Sequence, residues 1–215
     1  MRAMANSMAN PWLNVPLADY EGHMSADGVE QLEALAELFA EALAHCLPES
    51  VLVIGIAGGN GLDRIDSSVT RRVVGIDINP AYLAAVRERY GHTPGLELIC
   101  ADLTEPMVAC PPAQLVHAAL VFEHAGAGPC LDHALSLVAD DSWLSVVLQL
   151  PSDTVPGVTK GQFASIETLC AGFIMIDPAT LRGMIETRGY RIVRERHRAL
   201  PAGKAFWTGL FARNR

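Results

Sequence analysis

A glycine-rich turn is the segment of this chain whose residue types and spacing point most clearly to chemistry. Residues 51–61 read VLVIGIAGGNG, so an apolar run leads directly into a cluster of glycines. Glycine is needed where the backbone takes a positive φ or where a ligand presses against it. A helix that begins after such a turn presents free amides and a partial positive charge, which attract anions. The turn predicts a ligand site, and its structural alternative is a tight strand-to-helix connection.

Two aspartates follow the turn at positions that favour a nucleoside ligand. Asp77 ends the run RRVVGID, and Asp102 follows the run LELICA. At the carboxyl ends of neighbouring parallel strands, the first can accept hydrogen bonds from ribose hydroxyls and the second from an adenine amino group. Asp77 could instead cap the helix that begins at residue 80, although Asn79 is better placed for that. Asp102 could instead start a turn with Thr104.

The spacing of the glycines excludes two common phosphate-binding motifs. A dinucleotide fingerprint needs glycines in the pattern G-x-G-x-x-G. If the motif starts at Gly55, its second and third glycines are replaced by Ala57 and Asn60; if it starts at Gly59, its third glycine is replaced by Arg64. A P-loop needs a lysine after its last glycine, and none follows here. The chain also contains neither CxxC nor HExxH, so we expect no metal site.

Alternating strands and helices are expected to position these residues. Apolar runs predict strands at 51–56, 71–77, 96–101, 114–122 and 142–150. Helical spacing, caps and glycine stops predict helices at about 28–46, 80–90, 129–139 and 178–189. Near-continuous apolar strands separated by helices indicate a parallel sheet covered on both faces. Two β-prone runs around Pro201-Ala202-Gly203 predict a closing antiparallel hairpin.

The N-terminal 26 residues are expected to be an irregular arm that packs against the body. Pro11 and Pro16 interrupt regular structure there, but the segment is too apolar for a solvated tail. The helix that follows is expected to use Asp27 as its cap, with Glu30 at the capping-box position.

Composition narrows the class of protein. The 215 residues, half of them hydrophobic and 19% charged, fit one domain or one domain with a small appendage. Acidic residues outnumber basic ones 24 to 16, and the net charge of -8 argues against nonspecific binding to nucleic acid or a membrane surface. No apolar run approaches the roughly 20 residues that cross a bilayer, and no signal peptide is evident. The five scattered cysteines indicate reduced thiols in a cytoplasmic protein.

These segments together resemble the class I S-adenosylmethionine-dependent methyltransferases that act on small molecules. VLVIGIAGGNG is similar to their first motif, VVGIDINP to the second and LICADLTEP to the third. LVFEHAG, which begins at Leu120, is similar to a leucine-glutamate-histidine motif at the fourth strand. The PWLNVPLADYEGHM run of the arm is similar to a bacterial subgroup without an assigned substrate.

The resemblance implies a Rossmann-like, doubly wound α/β fold with a mostly parallel seven-stranded sheet and a C-terminal antiparallel hairpin. It covers about residues 50–150 well and the last 35 loosely. The chain would then form one domain in four parts: an arm and helix over the site (1–46), a cofactor-binding core (47–150), a substrate lid (151–177), and a closing helix and hairpin (178–215).

The same resemblance implies S-adenosyl-L-methionine as the cofactor. The residues that would bind it are Gly55, Ala57, Gly58, Gly59, Asn60, Gly61, Asp77, Ile78, Asp102, Leu103 and Phe122. The turn would line the methionine moiety, Asp77 would hold the ribose, and Asp102 with Leu103 would meet the adenine edge. Phe122 or Glu123 would lie near the transferred methyl. Two positions depart from the family: Val53 stands where an acidic residue often helps to hold the amino group, and Ala57 replaces the middle glycine.

Four side chains are candidates for catalysis: His124, Glu123, His23 and Tyr20. Histidine titrates near neutrality, which suits a general base, although His124 could simply pack against the next helix. Tyr20 and His23 could close over the methyl donor or merely cover apolar surface. The acceptor pocket is expected between the arm, the 123–128 loop and the mostly apolar 151–177 segment, which favours a small, partly apolar acceptor.

The resemblance therefore implies methyl transfer to a small acceptor, with no nucleic-acid or membrane partner, and a homodimer stays open. A catalytically silent protein that binds S-adenosylmethionine or a nucleotide is one alternative, favoured by Val53 and Ala57. A nicotinamide-dependent oxidoreductase is another, disfavoured by the glycine spacing and by Asp102. Asp77→Ala is expected to weaken S-adenosylhomocysteine binding by about 1.5 to 3 kcal/mol with little loss of fold stability.

Overall fold

The apolar runs of the sequence pair into a seven-stranded sheet in this computed structural model, which describes residues 10–27, 29–105, 110–153, 156–158, 163–201 and 203–214. The strands are β1 (Ser50–Ile54), β2 (Arg72–Asp77), β3 (Leu96–Cys100), β4 (Ala113–Ala119), β5 (Val138–Gln149), β6 (Tyr190–Ala199) and β7 (Ala205–Arg213). Their order across the sheet is β3-β2-β1-β4-β5-β7-β6. The first five run parallel, and β7 pairs antiparallel with both β5 and β6. The predicted α/β sheet with its terminal hairpin is confirmed.

Helices cover both faces of this sheet. They are α1 (Leu17–Ser25), α2 (Gln31–Cys46), α3 (Pro80–Tyr90), α4 (Phe122–Ala125), α5 (Pro129–Ser136), α6 (Ala164–Glu167) and α7 (Pro178–Glu186). Because strand side chains alternate between faces, Val51 and Val53 of β1 pack in one apolar cluster with α2 and α3. Leu52 and Ile54 pack in another with α5 and α7. This two-sided burial explains why the strands are apolar along nearly their whole length.

Side-chain caps fix where two of the helices begin. The Asn79 side chain accepts the amide of Ala81 at 2.9 Å and caps α3, as the sequence indicates. Asp177 caps α7 in the same way by accepting the amide of Thr180 at 2.9 Å. Both helices continue with a proline in their first turn, where the missing N–H costs nothing.

The N-terminal arm is more regular than predicted. A 3₁₀ turn covers Pro11–Asn14, and α1 follows directly. The expectation of irregular structure is therefore wrong for residues 11–25, while residues 1–9 lie outside the described part. Each proline stands at the start of an element rather than inside one, and proline is tolerated there because the first turn has no intrahelical partner for its nitrogen.

The predicted cap of α2 is also wrong. The helix begins at Gln31, after Glu30 in a left-handed conformation with φ 48°, and it has no side-chain cap. The amides of Val29 and Glu30 both donate to the carbonyl of Ala26. This local turn displaces the helix start beyond the reach of an Asp27 cap.

Three polar contacts fasten the arm to α3, the helix that follows β2. The Asn79 side chain donates to the Trp12 carbonyl at 2.9 Å, and the Tyr82 hydroxyl donates to the Val15 carbonyl at 3.0 Å. Glu21 of α1 pairs with Arg89 at 2.5 Å. The arm consequently forms one wall over the carboxyl ends of the strands.

Among the described residues, no helix has the length and apolar character needed to cross a membrane.

Candidate functional site

A cleft of about 180 Å³ opens at the carboxyl ends of β1, β2 and β4. Its walls include six of the predicted cofactor-binding residues: Gly55, Ala57, Asp77, Ile78, Asp102 and Leu103. Two predicted catalytic residues, Tyr20 and His124, also line it. The structure thus brings the end of the first strand, both aspartates and the arm into one cavity.

Asp77 lies at the centre of the polar wall of this cleft. It is 7% exposed, and its carboxylate oxygens accept the amides of Ala57 at 2.9 Å and Asn79 at 2.8 Å. Burial raises the pKa of Asp77 above its ordinary value, against the opposing effect of these amides and that of Ile78. Each carboxylate oxygen has two lone pairs, so the group retains acceptor capacity toward a ligand hydroxyl in the cleft.

Asp102 forms the predicted alternative turn and still lines the cleft. Its Oδ1 accepts the amide of Thr104 at 2.8 Å and the Thr104 hydroxyl at 2.7 Å. The neighbouring Ala101 amide donates to the Asp77 carbonyl at 3.0 Å, which holds the two strand ends together. The carbonyl of Leu103 is bonded to the His133 ring at 2.7 Å. These contacts fix the second acidic edge of the cavity.

The glycine turn divides into a part that faces the cleft and a part that packs on helices. Gly55 has φ +66°, and a Cβ there would lie 2.9 Å from Val121. Gly59 and Gly61 also have positive φ, but they lie against Tyr90 and Phe39 respectively. Positive φ and close packing both require glycine, so its presence alone does not distinguish ligand contact from helix contact.

Two further turn residues are occupied by contacts with neighbouring elements. The Asn60 side chain donates to the Leu32 carbonyl at 2.9 Å. The Gly58 carbonyl accepts from Arg89 at 3.2 Å, next to the Glu21–Arg89 ion pair. Neither residue lines the cleft, and Gly59 and Gly61 are likewise absent from its walls.

Ala57 occupies a backbone conformation that favours glycine. Its φ is +45°, and its amide is the donor to Asp77. An L-residue in this region costs about 1 to 2 kcal/mol. The strained residue therefore sits where the turn meets the acidic wall.

Ala57→Gly is expected to raise the free energy of unfolding by up to about 1 kcal/mol, because relief of the strain outweighs the greater entropy of the unfolded glycine chain. Urea unfolding measures the change. The matched control is Ala84→Gly on the exposed side of α3, which should lose about 1 kcal/mol. A similar loss in both variants would show that Ala57 is not strained.

A second, smaller pocket of about 80 Å³ adjoins the cleft. Four residues line both cavities: Trp12, Tyr20, Leu120 and His124. The second pocket is otherwise walled by His23, Met24, Gln31, Ala119, Gln149, Gly157, Val158, Ile166, Leu169, Phe173 and Lys204. It lies between the arm, α4 and the segment before α7.

His124 stands between two aromatic rings at the boundary of the two cavities. Its ring centroid lies 4.8 Å from that of Trp12 and 5.2 Å from that of Phe173, in edge-on geometry. Burial lowers the pKa of His124 to about 4. The imidazole is therefore neutral at pH 7 and a weak base.

Tyr20 and His23 come from one face of α1. The Tyr20 ring packs edge-on against Trp12 at 5.8 Å, and burial raises the pKa of its phenol, as do Asp77 and Glu21. His23 is buried in the second pocket, where burial lowers its pKa and the charge of Lys204 lowers it further. At neutral pH the two groups present a protonated phenol and an uncharged imidazole.

Phe122 and Glu123 lie beneath the cavities rather than in their walls. Both are fully buried, and Phe122 packs in the apolar cluster with α5. The Glu123 Oε1 accepts the Gln149 amide at 2.8 Å, while Oε2 has no partner among the described residues. Burial raises the pKa of Glu123 to about 7. The short helix α4 turns both side chains inward, so neither lines the cleft or the adjoining pocket.

Sequence reasoning missed the polar residues of the second pocket. Gln31, Gln149 and Lys204 come from α2, the end of β5 and the turn before β7. Each stands alone in an unremarkable local pattern, so only the tertiary fold reveals the cluster. Trp12 carried one signal, since it is a large apolar residue in an arm otherwise expected to be irregular.

Comparison with known proteins gives matches in structure only. No family model and no curated protein matches the sequence. The N-methyltransferase NodS from Bradyrhizobium japonicum WM9, in complex with S-adenosyl-L-homocysteine, is 15% identical with a TM-score of 0.68, covering 96% of this chain and 100% of that one.

Two further solved structures show how far the likeness extends. Magnesium protoporphyrin IX methyltransferase (ChlM) from Synechocystis PCC 6803, with bound SAM, is 15% identical with a TM-score of 0.59, covering 86% and 79% of the two chains. The cyclase SpnF is 11% identical with a TM-score of 0.64, covering 84% and 80%. Because such identities establish the fold alone, the conclusion is that this chain has the Rossmann-like fold of the class I S-adenosylmethionine-dependent methyltransferases.

Proposed function

We propose that the protein transfers a methyl group from S-adenosylmethionine to a small acceptor. The observation that carries the proposal is Asp77, whose buried carboxylate links the glycine turn to the start of α3 and faces the cleft. In open α/β sheets, an acidic residue at this strand end accepts hydrogen bonds from ribose hydroxyls. NodS and ChlM, which share the fold, were solved with S-adenosylhomocysteine or S-adenosylmethionine bound.

The remaining walls of the cleft also suit this cofactor. Ile78 and Leu103 supply apolar surface for the faces of an adenine ring, and Asp102 supplies an acceptor for its amino group. Gly55 and Ala57 bring backbone close to the methionine moiety. Val53 packs in the core on the α2 side of the sheet, so it offers no charge to the cofactor's amino group.

When bound, the cofactor supplies an electrophilic methyl group on a cationic sulfonium. The wall shared by the two cavities would then hold the reacting groups in line; it consists of Trp12, Tyr20, Leu120 and His124. Such alignment accounts for much of the rate of a transfer reaction. The neutral His124 ring adds no positive charge beside the sulfonium. Its pKa of about 4 makes it a poor general base at pH 7, so we assign it to positioning.

The other catalytic candidates receive different parts in this proposal. Tyr20, which lines both cavities, would contact the reacting groups from the arm and offer them its protonated hydroxyl as a hydrogen-bond donor. His23 belongs to the acceptor pocket. Glu123 acts only through the Gln149 backbone, so it is a positioning residue rather than a catalytic one.

The properties of the whole chain support the choice of partner and compartment. A net charge of -8 disfavours nucleic acid and anionic membranes as binding surfaces, which is consistent with a small-molecule acceptor. The five cysteines are all free, which supports a reducing, cytoplasmic location.

A binder with the same cleft that transfers no methyl group is the second candidate, because SpnF has this fold and is named a cyclase rather than a methyltransferase. Binding and chemistry therefore have to be measured separately. Transfer of radiolabelled methyl to a metabolite panel measures the chemistry. Tight binding of S-adenosylhomocysteine with no labelled product from any acceptor would favour the second candidate.

S-adenosylhomocysteine is expected to stabilise the protein, whereas NAD is not. A ligand at 100 times its Kd that binds only the folded state adds about 2.7 kcal/mol to the free energy of unfolding. Thermal unfolding with each ligand checks this. An equal or larger shift with NAD would support the oxidoreductase alternative and contradict the proposal.

A further inference from the structure

Among the residues that the structure describes, Lys204 is a buried lysine without a carboxylate partner. It is 2% exposed, at the turn before β7, and its Nζ donates to the Gly157 carbonyl at 2.9 Å and to Gln149 Oε1 at 3.5 Å. The ion pairs among the described residues all use arginine. The residues outside the described ranges include no Asp or Glu.

A buried cation without a countercharge destabilises the folded protein, so its presence calls for a functional explanation. Ionised groups in protein interiors are normally paired, because desolvation is only offset by an opposite charge or full hydrogen bonding. An ammonium has three donors, and neutral dipoles accept two of them here among the described residues. Burial lowers the pKa of Lys204 to about 8, which still leaves it mostly protonated at pH 7.

The charge of Lys204 faces the smaller pocket, which has a polar end and a mostly apolar remainder. Gln31 and Gln149 form the polar end with Lys204, and the Gln31 side chain donates to Gln149 Oε1 at 3.3 Å. The rest of the wall is mostly apolar, apart from His23 and the Tyr20 and His124 rings; its apolar side chains include Met24, Val158, Ile166, Leu169 and Phe173. From the described residues, the pocket therefore presents one positive charge in a protein whose net charge is -8.

The pocket is also placed and sized for an acceptor. It reaches the cleft at Tyr20 and His124, so a molecule anchored at Lys204 extends toward the proposed methyl donor. A volume of about 80 Å³ is several times what one water molecule needs. It suits a small molecule with an apolar body and a single charged end.

We propose that the acceptor of this protein carries a carboxylate, and that this carboxylate pairs with Lys204 Nζ in the smaller pocket. That the bound carboxylate belongs to a methyl acceptor rests on the proposed methyl transfer, whereas the affinity of the pocket for a carboxylate does not. The bound carboxylate supplies the missing countercharge and takes the third donor of the ammonium. An acceptor with a cationic end is disfavoured, because it would place two positive charges together.

The test compares small acids with their uncharged amides. Calorimetry is run on the wild-type protein saturated with S-adenosylhomocysteine, with benzoate against benzamide, phenylacetate against its amide, and hexanoate against hexanamide. At least one acid is expected to bind about ten- to hundredfold more tightly than its amide, the effect of one charge-assisted hydrogen bond. If no acid binds more tightly than its amide, the proposal is wrong.

Variants at Lys204 assign the preference to this residue. Lys204→Met keeps the apolar stem and should abolish the preference for acids, while Lys204→Arg keeps the charge and should retain part of it. Arg213→Met removes an exposed cation that pairs with Asp140 at the far end of the sheet, and it should leave the preference intact. A preference that persists in Lys204→Met contradicts the proposal. Because the wild-type comparison needs no variant, a folding defect in Lys204→Met does not remove the test.

The same titrations separate this proposal from the methyl-transfer proposal. A wild-type protein that does not bind S-adenosylhomocysteine contradicts the methyl-transfer proposal, and the acids and amides are then compared on the protein alone. Binding of S-adenosylhomocysteine without any preference for acids contradicts only the role of Lys204.

Discussion

The Asp77→Ala variant is expected to bind S-adenosylhomocysteine about ten- to hundredfold more weakly than the wild type. Hydrogen bonds to a charged group contribute about 1.5 to 3 kcal/mol, and 1.4 kcal/mol corresponds to a factor of ten in affinity. Asp77 is the carboxylate in the cleft that stands at the strand end expected for ribose recognition. Calorimetric titration of the two proteins measures the difference.

The stability of this variant is expected to fall as well, contrary to the prediction from sequence. The Asp77 carboxylate accepts the amides of Ala57 and Asn79, and both donors lose their partner in Asp77→Ala. A buried donor left unpaired costs about 1 to 3 kcal/mol. With two donors affected, urea unfolding should therefore show a loss of at least that size.

Two further variants separate the loss of affinity from the loss of stability. Asp77→Asn keeps the shape and one acceptor oxygen but not the charge, so its affinity should fall while its stability falls less than that of Asp77→Ala. Asp132→Ala removes an exposed carboxylate on α5 that pairs with Arg188, and it should bind as the wild type does. Unchanged affinity in Asp77→Ala would remove Asp77 from the site.

Glu123→Gln is expected to be more stable than the wild type above pH 7. Glu123 is fully buried, its Oε2 has no partner among the described residues, and burial raises its pKa from 4.5 to about 7. The amide keeps an oxygen for the Gln149 amide and carries no charge. Removing the buried charge therefore stabilises the fold by more than the loss of the charged hydrogen bond to the Gln149 amide destabilises it.

The sign of the pH dependence follows from the raised pKa. Between pH 4.5 and 7 the unfolded chain has lost the Glu123 proton while the folded protein retains it, so this group destabilises the fold as pH rises through that window. Since one pKa unit corresponds to 1.36 kcal/mol, the difference reaches about 3 kcal/mol above pH 7. The variant and the wild type should have similar stability near pH 4.5, and the variant should gain about 3 kcal/mol by pH 8.

Urea unfolding at both pH values tests this expectation. Glu105→Gln, on the surface, serves as the control and should change the free energy of unfolding by less than about 0.5 kcal/mol at either pH. A variant at Glu123 that is less stable at pH 8 would mean that the ionised carboxylate, through its bond to Gln149, holds the end of β5 in place.

The sheet was predictable because its signals are local. Strands buried on both faces must be mostly apolar, and β1, β2 and β4 are apolar along most of their length. Asn79 and Asp177 cap the helices that follow them, each with proline as the first helical residue. Such patterns occupy a few consecutive residues and do not depend on the rest of the chain.

The N-terminal arm was less predictable because proline has two opposite effects. Inside a helix it breaks the hydrogen-bond ladder, whereas in the first turn it is favourable. Pro11 and Pro16 stand at the starts of elements, and the sequence alone did not reveal this. The start of α2 was predicted wrongly because the turn at Ala26 is held by backbone hydrogen bonds, which leave no pattern of side chains in the sequence.

The sequence predicted the positions of the acidic residues in the site better than it predicted the contacts of the glycines. Asp77 and Asp102 meet in one cleft because the carboxyl ends of parallel strands share an edge. Gly59 and Gly61 pack on Tyr90 and Phe39, a use of glycine that looks the same in sequence as ligand contact. Lys204 has no local signal, since its partners in the pocket lie far away along the chain.

A crystal structure with S-adenosylhomocysteine tests the central claim most directly. The ribose hydroxyls should lie about 2.6 to 3.2 Å from the Asp77 carboxylate. The adenine edge should lie beside Asp102, and the sulfur should face the wall formed by Tyr20 and His124. A nucleoside bound elsewhere, or a ribose that makes no hydrogen bond to Asp77, would contradict the account.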